Sequence, residues 1–212
     1  MKTQAPRRQN GFTLVELLVV IFIIAVLARV GFSAGVSAIQ KAKKTTALAT
    51  CVALETAVNN FYTEYGSMPK DAITADTLVE TTDTALLNAL LGSESSATPA
   101  IATPLNTRAI QFLTVKQSKN KYTDTVLRDG IVYDVSIVKG LYDPWGRKNG
   151  TGGTYFVTLD GNYDGKVTPA GVWCAPSGTA PTLNGRRVAV YTRGADGLST
   201  NAANAADDVK TW

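Results

Sequence analysis

The sequence contains no histidine. Catalytic triads built on an imidazole base, and zinc or iron sites ligated by imidazole, are therefore excluded. Cysteine is nearly absent too, with only Cys51 and Cys174 in 212 residues. There is no internal repeat of solenoid type. Carboxylate pairs are present, Asp160 with Asp164 and Asp207 with Asp208, and such pairs can do acid–base work. They stand in calcium-like spacings, and nothing else suggests a substrate pocket, so the chain does not read as an enzyme.

A second set of absences concerns the amino end. Residues 17–28 have no polar face at all, which no helix buried in an ordinary soluble core requires. The basic leader with Lys2, Arg7 and Arg8 before an apolar run also describes a secretory signal peptide. Three details argue against that reading. No small-x-small cleavage site ends the run, since Val26-Leu27-Ala28 gives way to Arg29-Val30-Gly31. The leader stays polar up to Gly11, and a carboxylate, Glu16, sits inside the apolar stretch. A charge within a membrane-length helix costs about 2.5–3.5 kcal/mol on insertion scales, so it normally has a partner and a task. Phe12 to Ala28 would rise roughly 26 Å, a little short of a ~30 Å hydrocarbon core. Arg29 can snorkel, and the weakly polar stretch to Ile39 can complete a span. The reading is a retained anchor.

Beyond the anchor, Cys51, Leu54, Val58, Phe61 and Tyr65 follow a 3-4-3-4 rhythm that makes one apolar helical stripe. Lys43, Lys44, Glu55, Asn59 and Glu64 take the other faces. Gly66-Ser67-Met68-Pro69 ends this helix. Residues 78–91 read as a second, short helix stopped by Gly92, and 93–104 as a loop. Segments 110–115, 131–138, 155–159 and 188–192 read as strands. The expected fold is α+β: a long amino-terminal helix, membrane anchor then amphipathic spine, packed on a small antiparallel β-sheet domain. Its length is ample for one core. The expected boundaries are a leader over 1–11, the helix over 12–66 with its transmembrane half at about 12–38, and a globular domain over 67–212.

Gly11-Phe12-Thr13-Leu14-Val15-Glu16-Leu17-Leu18-Val19-Val20 resembles the amino terminus of type IV pilins and of the pseudopilins of type II secretion systems. The resemblance implies cleavage by a prepilin peptidase between Gly11 and Phe12, methylation of the new amino-terminal Phe12, and pairing of Glu16 with the Phe12 amine of a neighbouring subunit. Asp143-Pro144-Trp145-Gly146 with Tyr155, and Arg193-Gly194-Ala195-Asp196-Gly197 with Asp207-Asp208-Val209-Lys210-Thr211-Trp212, are similar to segments of major pseudopilins. The long middle insert and the Lys210-Thr211 ending depart from that pattern. Adhesive type IV pilins often close a carboxyl-terminal loop with two nearby cysteines, which this chain lacks.

The resemblance further implies an inner-membrane, single-pass subunit with a periplasmic domain. Its expected partners are copies of itself, the peptidase, an inner-membrane assembly platform and minor pseudopilins. The alternatives are a type IV pilus subunit or a solitary membrane-anchored calcium-binding module. Carried over by position, a tail calcium site would use the Asp196, Asp207 and Asp208 side chains with carbonyls near Leu198 and Thr200. A separate loop, Asp160-Gly161-Asn162-Tyr163-Asp164-Gly165, reproduces the D-x-N-x-D-G start of a calcium loop, with Asp160, Asn162 and Asp164 as ligands. An Asx-rich turn without metal explains the same residues. An extracytoplasmic location permits a Cys51–Cys174 disulfide; Cys51 equally fits the buried stripe as a free thiol. Removing Lys2, Arg7 and Arg8 would leave the mature chain nearly neutral, so no nucleic-acid partner is expected.

Overall fold

A computed structural model describes residues 12–97, 101, 103–146, 153–174 and 178–212. The leader, and Gly11 with it, lies outside the described residues. The chain divides into two compact units, Met1–Ala42 and Lys43–Trp212. Helix α1, Leu14–Tyr65, is 52 residues long.

In the first unit the helix is bare. Phe12, Leu14 and Leu27 expose 77%, 80% and 66% of their surface, and the apolar residues between them are exposed as well. Among the described residues no helix is long and apolar enough to cross a membrane. Glu16 and Arg29 stand at the two ends of an uncharged run over residues 17–28.

In the second unit the apolar stripe of α1 builds the core. Cys51, Leu54, Val58 and Phe61 are fully buried, and Ala47 extends the stripe one turn earlier. Tyr65 is partly buried against the same cluster. Gly66 closes the helix at φ +68°, and its N–H donates to the Tyr62 carbonyl at 2.8 Å. That left-handed conformation is one glycine adopts without steric cost.

The stripe packs on an antiparallel sheet of four strands: β1 Thr77–Glu80, β4 Tyr155–Leu159, β7 Val188–Thr192 and β8 Val209–Lys210, in the order β1-β4-β7-β8. Alternation along the strands separates two faces. Tyr155, Val157, Leu159, Val188 and Val190 join the helix stripe in the main cluster. Phe156 and Tyr191, directly paired in the register, form a second cluster with Val172, Leu78, Cys174 and Trp212. Their rings stack at 4.9 Å between centroids. Strands β2 Gly130–Asp134 and β3 Ile137–Tyr142 make a hairpin, and β5 Lys166–Val167 pairs with β6 Leu183–Asn184. Thr81 ties the hairpin to the sheet: its Oγ1 donates to the Leu141 carbonyl at 2.6 Å and accepts from the Tyr155 N–H at 3.0 Å.

The α+β class and the stripe are as expected, and several local readings are corrected. Residues 78–91 are two elements, because Leu78 and Val79 pair with β4 and helix α2 covers only Thr84–Leu91. Asp83 sets its start, accepting from the N–H groups of Ala85 and Leu86. Segment 110–115 forms no strand; Phe112 and Leu113 both donate their N–H groups to the Leu90 carbonyl at 2.9 Å. Segment 131–138 belongs to the β2–β3 hairpin, turned by Val135 at φ +57°. The insert is held by two buried side chains. Glu94 accepts from the N–H groups of Leu105 and Asn106, and Asn106 accepts from the Tyr65 hydroxyl at 2.7 Å.

The Cys51–Cys174 disulfide is not formed, since both thiols are free. Cys51 lies in the helix-facing cluster and Cys174 in the cluster on the other face, so the sheet stands between them. Burial, with Asp143 and Glu55 adding to it, pushes the Cys51 thiol far above its usual value. Iodoacetamide should therefore modify Cys174 first and leave Cys51 untouched until the protein is unfolded. Mass spectrometry of the unfolded chain without reductant should show two adducts, and a crosslinked peptide would contradict the arrangement.

Candidate functional site

The amino-terminal motif folds as a self-contained cap. Thr13 precedes the first helical residue, and its Oγ1 accepts from the Glu16 N–H at 3.2 Å. Glu16 Oε2 in turn accepts from the Thr13 N–H at 2.9 Å and from the Thr13 hydroxyl at 2.8 Å. This is a capping box, in which donors left open at the helix start are satisfied reciprocally. The carboxylate also sits where the helix dipole favours negative charge. The T-x-x-E spacing was readable in the sequence, and the cap is a role for Glu16 that the pairing expectation leaves out. Phe12, one residue before the cap, is exposed.

The tail gathers its acidic residues around the turn after β7. Gly194 has φ +66°, and a Cβ there would lie 2.6 Å from the Asp207 carboxyl carbon, so the backbone approach requires glycine. Asp207 Oδ2 accepts from the N–H groups of Ala195 at 2.5 Å and Asp196 at 3.3 Å. Asp196 Oδ1 accepts from the Leu198 N–H at 2.8 Å. Asp208 Oδ2 accepts from the Ser199 hydroxyl at 2.6 Å and lies 3.7 Å from Lys210 Nζ. The Asp208 side chain is wholly buried, and its Oδ1 has no hydrogen-bond partner. Burial raises its carboxyl above the usual range; Ser199 and Lys210 oppose that shift, and the Asp207 and Asp196 charges add to it.

An orphaned buried carboxylate oxygen among further acids suits a hard cation in its chemistry. Yet among the described residues no three acidic or thiol side chains converge as a metal-binding group. The tail thus brings Asp196 and Asp207 onto one turn with Asp208 charge-coupled to them, without closing a coordination sphere. Leu198 and Thr200 are both exposed.

The second loop is built differently. Asp160 is buried, with Oδ1 accepting from the Asp164 N–H at 3.2 Å and Oδ2 from the Gly165 N–H at 2.9 Å. Asp164 Oδ1 accepts from the Lys166 N–H at 2.9 Å, while Asn162 is exposed. Both oxygens of Asp160 are already engaged by the turn, as the Asx-turn reading requires.

One acidic residue missing from the candidate set is Asp143, in the Asp143-Pro144-Trp145-Gly146 segment. It is fully buried and accepts from the N–H groups of Trp145 at 3.0 Å and Gly146 at 2.8 Å, and from the Thr192 hydroxyl at 2.6 Å. Burial raises its pKa, and those three bonds with the Lys43 charge hold the rise in check. Its task is to lock this turn to β7. The Asp-Pro dipeptide signals the turn, but only the fold reveals Thr192.

Residues 6–28 match the family model for the prokaryotic N-terminal methylation motif. The chain is also similar to prepilin peptidase-dependent protein D of Escherichia coli (strain K12), with 44% identity over 61 residues. That stretch is 29% of this chain and 42% of the relative, so the chain spans less than half of the curated relative's length. No solved structure matches.

The raised carboxyl of Asp208 has a definite sign in folding. A proton favours the folded state, so that contribution is complete below the usual value of 3.8 and is lost as pH rises through the higher folded value. Urea melts of the full chain in detergent with chelator should show wild type losing stability relative to Asp208→Asn over that interval. Parallel curves would remove Asp208 as the strained group.

Proposed function

We propose that this chain, which carries a prepilin-type N-terminal methylation motif and is type IV pilin-like there, is a filament-forming pseudopilin of a type II protein secretion system. The observation that carries the reading is the motif over residues 6–28 opening onto a helix whose apolar side chains are bare. Exposed apolar surface costs about 25 cal/mol per Å², and surrounding the helix with lipid and then with its own copies removes that cost. The subunit waits in the inner membrane with residues of about 12–38 as anchor and its globular domain in the periplasm. Prepilin peptidase cuts between Gly11 and Phe12 and methylates Phe12. Subunits then add at an inner-membrane platform together with minor pseudopilins, and the growing filament pushes exoproteins outward.

Glu16 serves twice in this scheme. In the free subunit it caps its own helix through Thr13. In the filament it pairs with the Phe12 amine of a neighbour, which relieves two charges in an apolar core and sets the axial register. The Asp143–Gly146 segment and the acidic tail support the secretion branch over adhesive pili, as does the lack of two neighbouring cysteines. The same tail supports a structural calcium ion. Asp208 would be its buried ligand, with Asp196 and Asp207 beside it and carbonyls near Leu198 and Thr200 completing the set.

Deleting the gene should strand exoproteins in the periplasm while surface pili persist, read by mass spectrometry of the fractions and electron microscopy. Normal secretion with missing pili would move the protein to the type IV pilus branch, and an uncut chain in the presence of the peptidase would favour a solitary module. Complementation separates the two tasks of Glu16. Glutamine preserves a capping box but not a charge pair. Glu16→Gln and Glu16→Ala should both be cleaved and both fail to assemble; filaments from Glu16→Gln would leave only the cap.

Calcium should raise the melting temperature of the full chain in detergent and chelator should lower it. A ligand binding only the folded loop adds about 2.7 kcal/mol at a hundredfold excess over Kd. Loss of the response in Asp208→Asn would assign it to the tail, and no response in wild type would remove both calcium sites.

A further inference from the structure

A cleft of about 520 Å³ in the second unit has no place in the scheme above. It lies beside the outer cluster of the sheet, lined by Pro169, Val172, Trp173, Ala180, Leu198 and Arg193. Five of these six present mainly apolar surface, and the sixth is a cation. The Arg193 guanidinium rests over the Phe156 ring at 4.4 Å and donates from Nη2 to the Gly171 carbonyl at 3.3 Å. Its Nε is shut off from solvent without a hydrogen-bond partner. Among the described residues no carboxylate stands within ion-pair distance of it, whereas Arg108 pairs with Glu64 and Arg186 with Glu55. The Arg193 guanidinium is thus held in place at an apolar cleft, and among the described residues no carboxylate is paired with it.

The walls are built beforehand. The Tyr191 hydroxyl donates to the Ala170 carbonyl at 2.8 Å, the Trp173 N–H donates to Ser199 Oγ at 2.8 Å, and Lys210 Nζ donates to the Trp173 carbonyl at 2.9 Å. Gly171 passes so close that a Cβ would meet the Tyr191 hydroxyl at 3.1 Å and Arg193 Nη2 at 3.3 Å. A cleft of this size, mostly apolar with one oriented polar group, has the make-up of a ligand site.

We infer that this cleft binds the end of an apolar peptide through its free terminal carboxylate, which pairs with Arg193. The charge balance selects a monoanion. Arg193 is the one cation among the lining residues, and the carboxylates of Asp196, Asp207 and Asp208 on the adjoining tail limit the anion to a single charge. A planar carboxylate meets a guanidinium in two parallel bonds, which a chain end delivers to a short cleft without a second strand having to leave it. The apolar walls take the last side chains. Such a site lets the domain hold a partner protein by its carboxyl terminus, independently of filament growth.

The test uses the full chain in detergent and three apolar pentapeptides of otherwise identical sequence: a free acid, its amide, and an amide carrying one internal glutamate. Calorimetry should show the free acid binding at least about tenfold more tightly than either amide, the loss expected when a charge-assisted pair is removed. Arg193→Met should lose the same factor. On titration of the wild type with the free acid, the Arg193 Nε–H and Trp173 indole N–H resonances should move together, which reads the site even where the variant does not fold. Equal affinity for acid and plain amide, a still Arg193 resonance, or no binding would overturn the proposal. Equal affinity for the glutamate peptide would overturn the terminal specificity.

Discussion

The globular unit depends on one contact, the stripe of α1 against the inner face of the four-stranded sheet. Ala47, Cys51, Leu54, Val58 and Phe61 repeat at the period that keeps one side of a helix facing one surface, and all are fully buried. The strands answer with alternation, so that Tyr155, Val157 and Leu159 face the helix while Phe156 turns away. Strands β1, β4 and β7 thereby each serve two clusters. The hairpin, α2 and the insert then attach at the margins through a few buried polar groups, Thr81, Glu94 and Asn106. Removing those groups would loosen attachments; removing the stripe would leave the sheet with an uncovered face.

Three buried aspartates show how the same side chain acquires different meanings. Asp143 and Asp160 have both carboxylate oxygens engaged by backbone N–H or hydroxyl donors. Such a carboxylate is a structural clasp, because its desolvation is offset by bonds to the charged form. Asp208 has one oxygen bonded and one orphaned. Its lysine neighbour at 3.7 Å is beyond hydrogen-bond distance, and two further acids push in the opposite sense. Of the three it is the one whose environment is incomplete. Sequence spacing offered both the Asp160 loop and the tail; satisfaction of the oxygens separates them.

Patterns with a strict period were legible in the sequence, and patterns decided by contact were not. The α1 stripe, its Gly66 stop, β4 and β7 follow from periodicity and composition. The 78–91 segment misled because leucines at 86, 87, 90 and 91 extend a helical impression backward over Leu78 and Val79, which pair with β4 instead. The 110–115 segment has a strand's composition, but the end of α2 takes its N–H groups. A Cys51–Cys174 bond was compatible with the count of cysteines and is defeated by the sheet between them. The Arg193 cleft could not be read at all, since Thr168–Trp173, Gly178–Ala180 and Leu198–Thr200 meet only in the fold.

Glu16 is the point at which local and collective structure compete. A carboxylate that accepts both the N–H and the hydroxyl of Thr13 has satisfied its nearest donors, so the isolated helix gives it no reason to seek a partner. Capping of this kind stabilises a helix start modestly. A charge pair in an apolar filament core works against a larger penalty, because an unpaired amine or carboxylate there costs several kcal/mol. In the proposed filament the cap would be surrendered to a neighbour's ammonium group. Until then Thr13 holds the carboxylate in place at the helix start. The motif's hydroxyl and acid form one device, and in the proposed scheme the Phe12 amine exists only once the leader has been cut.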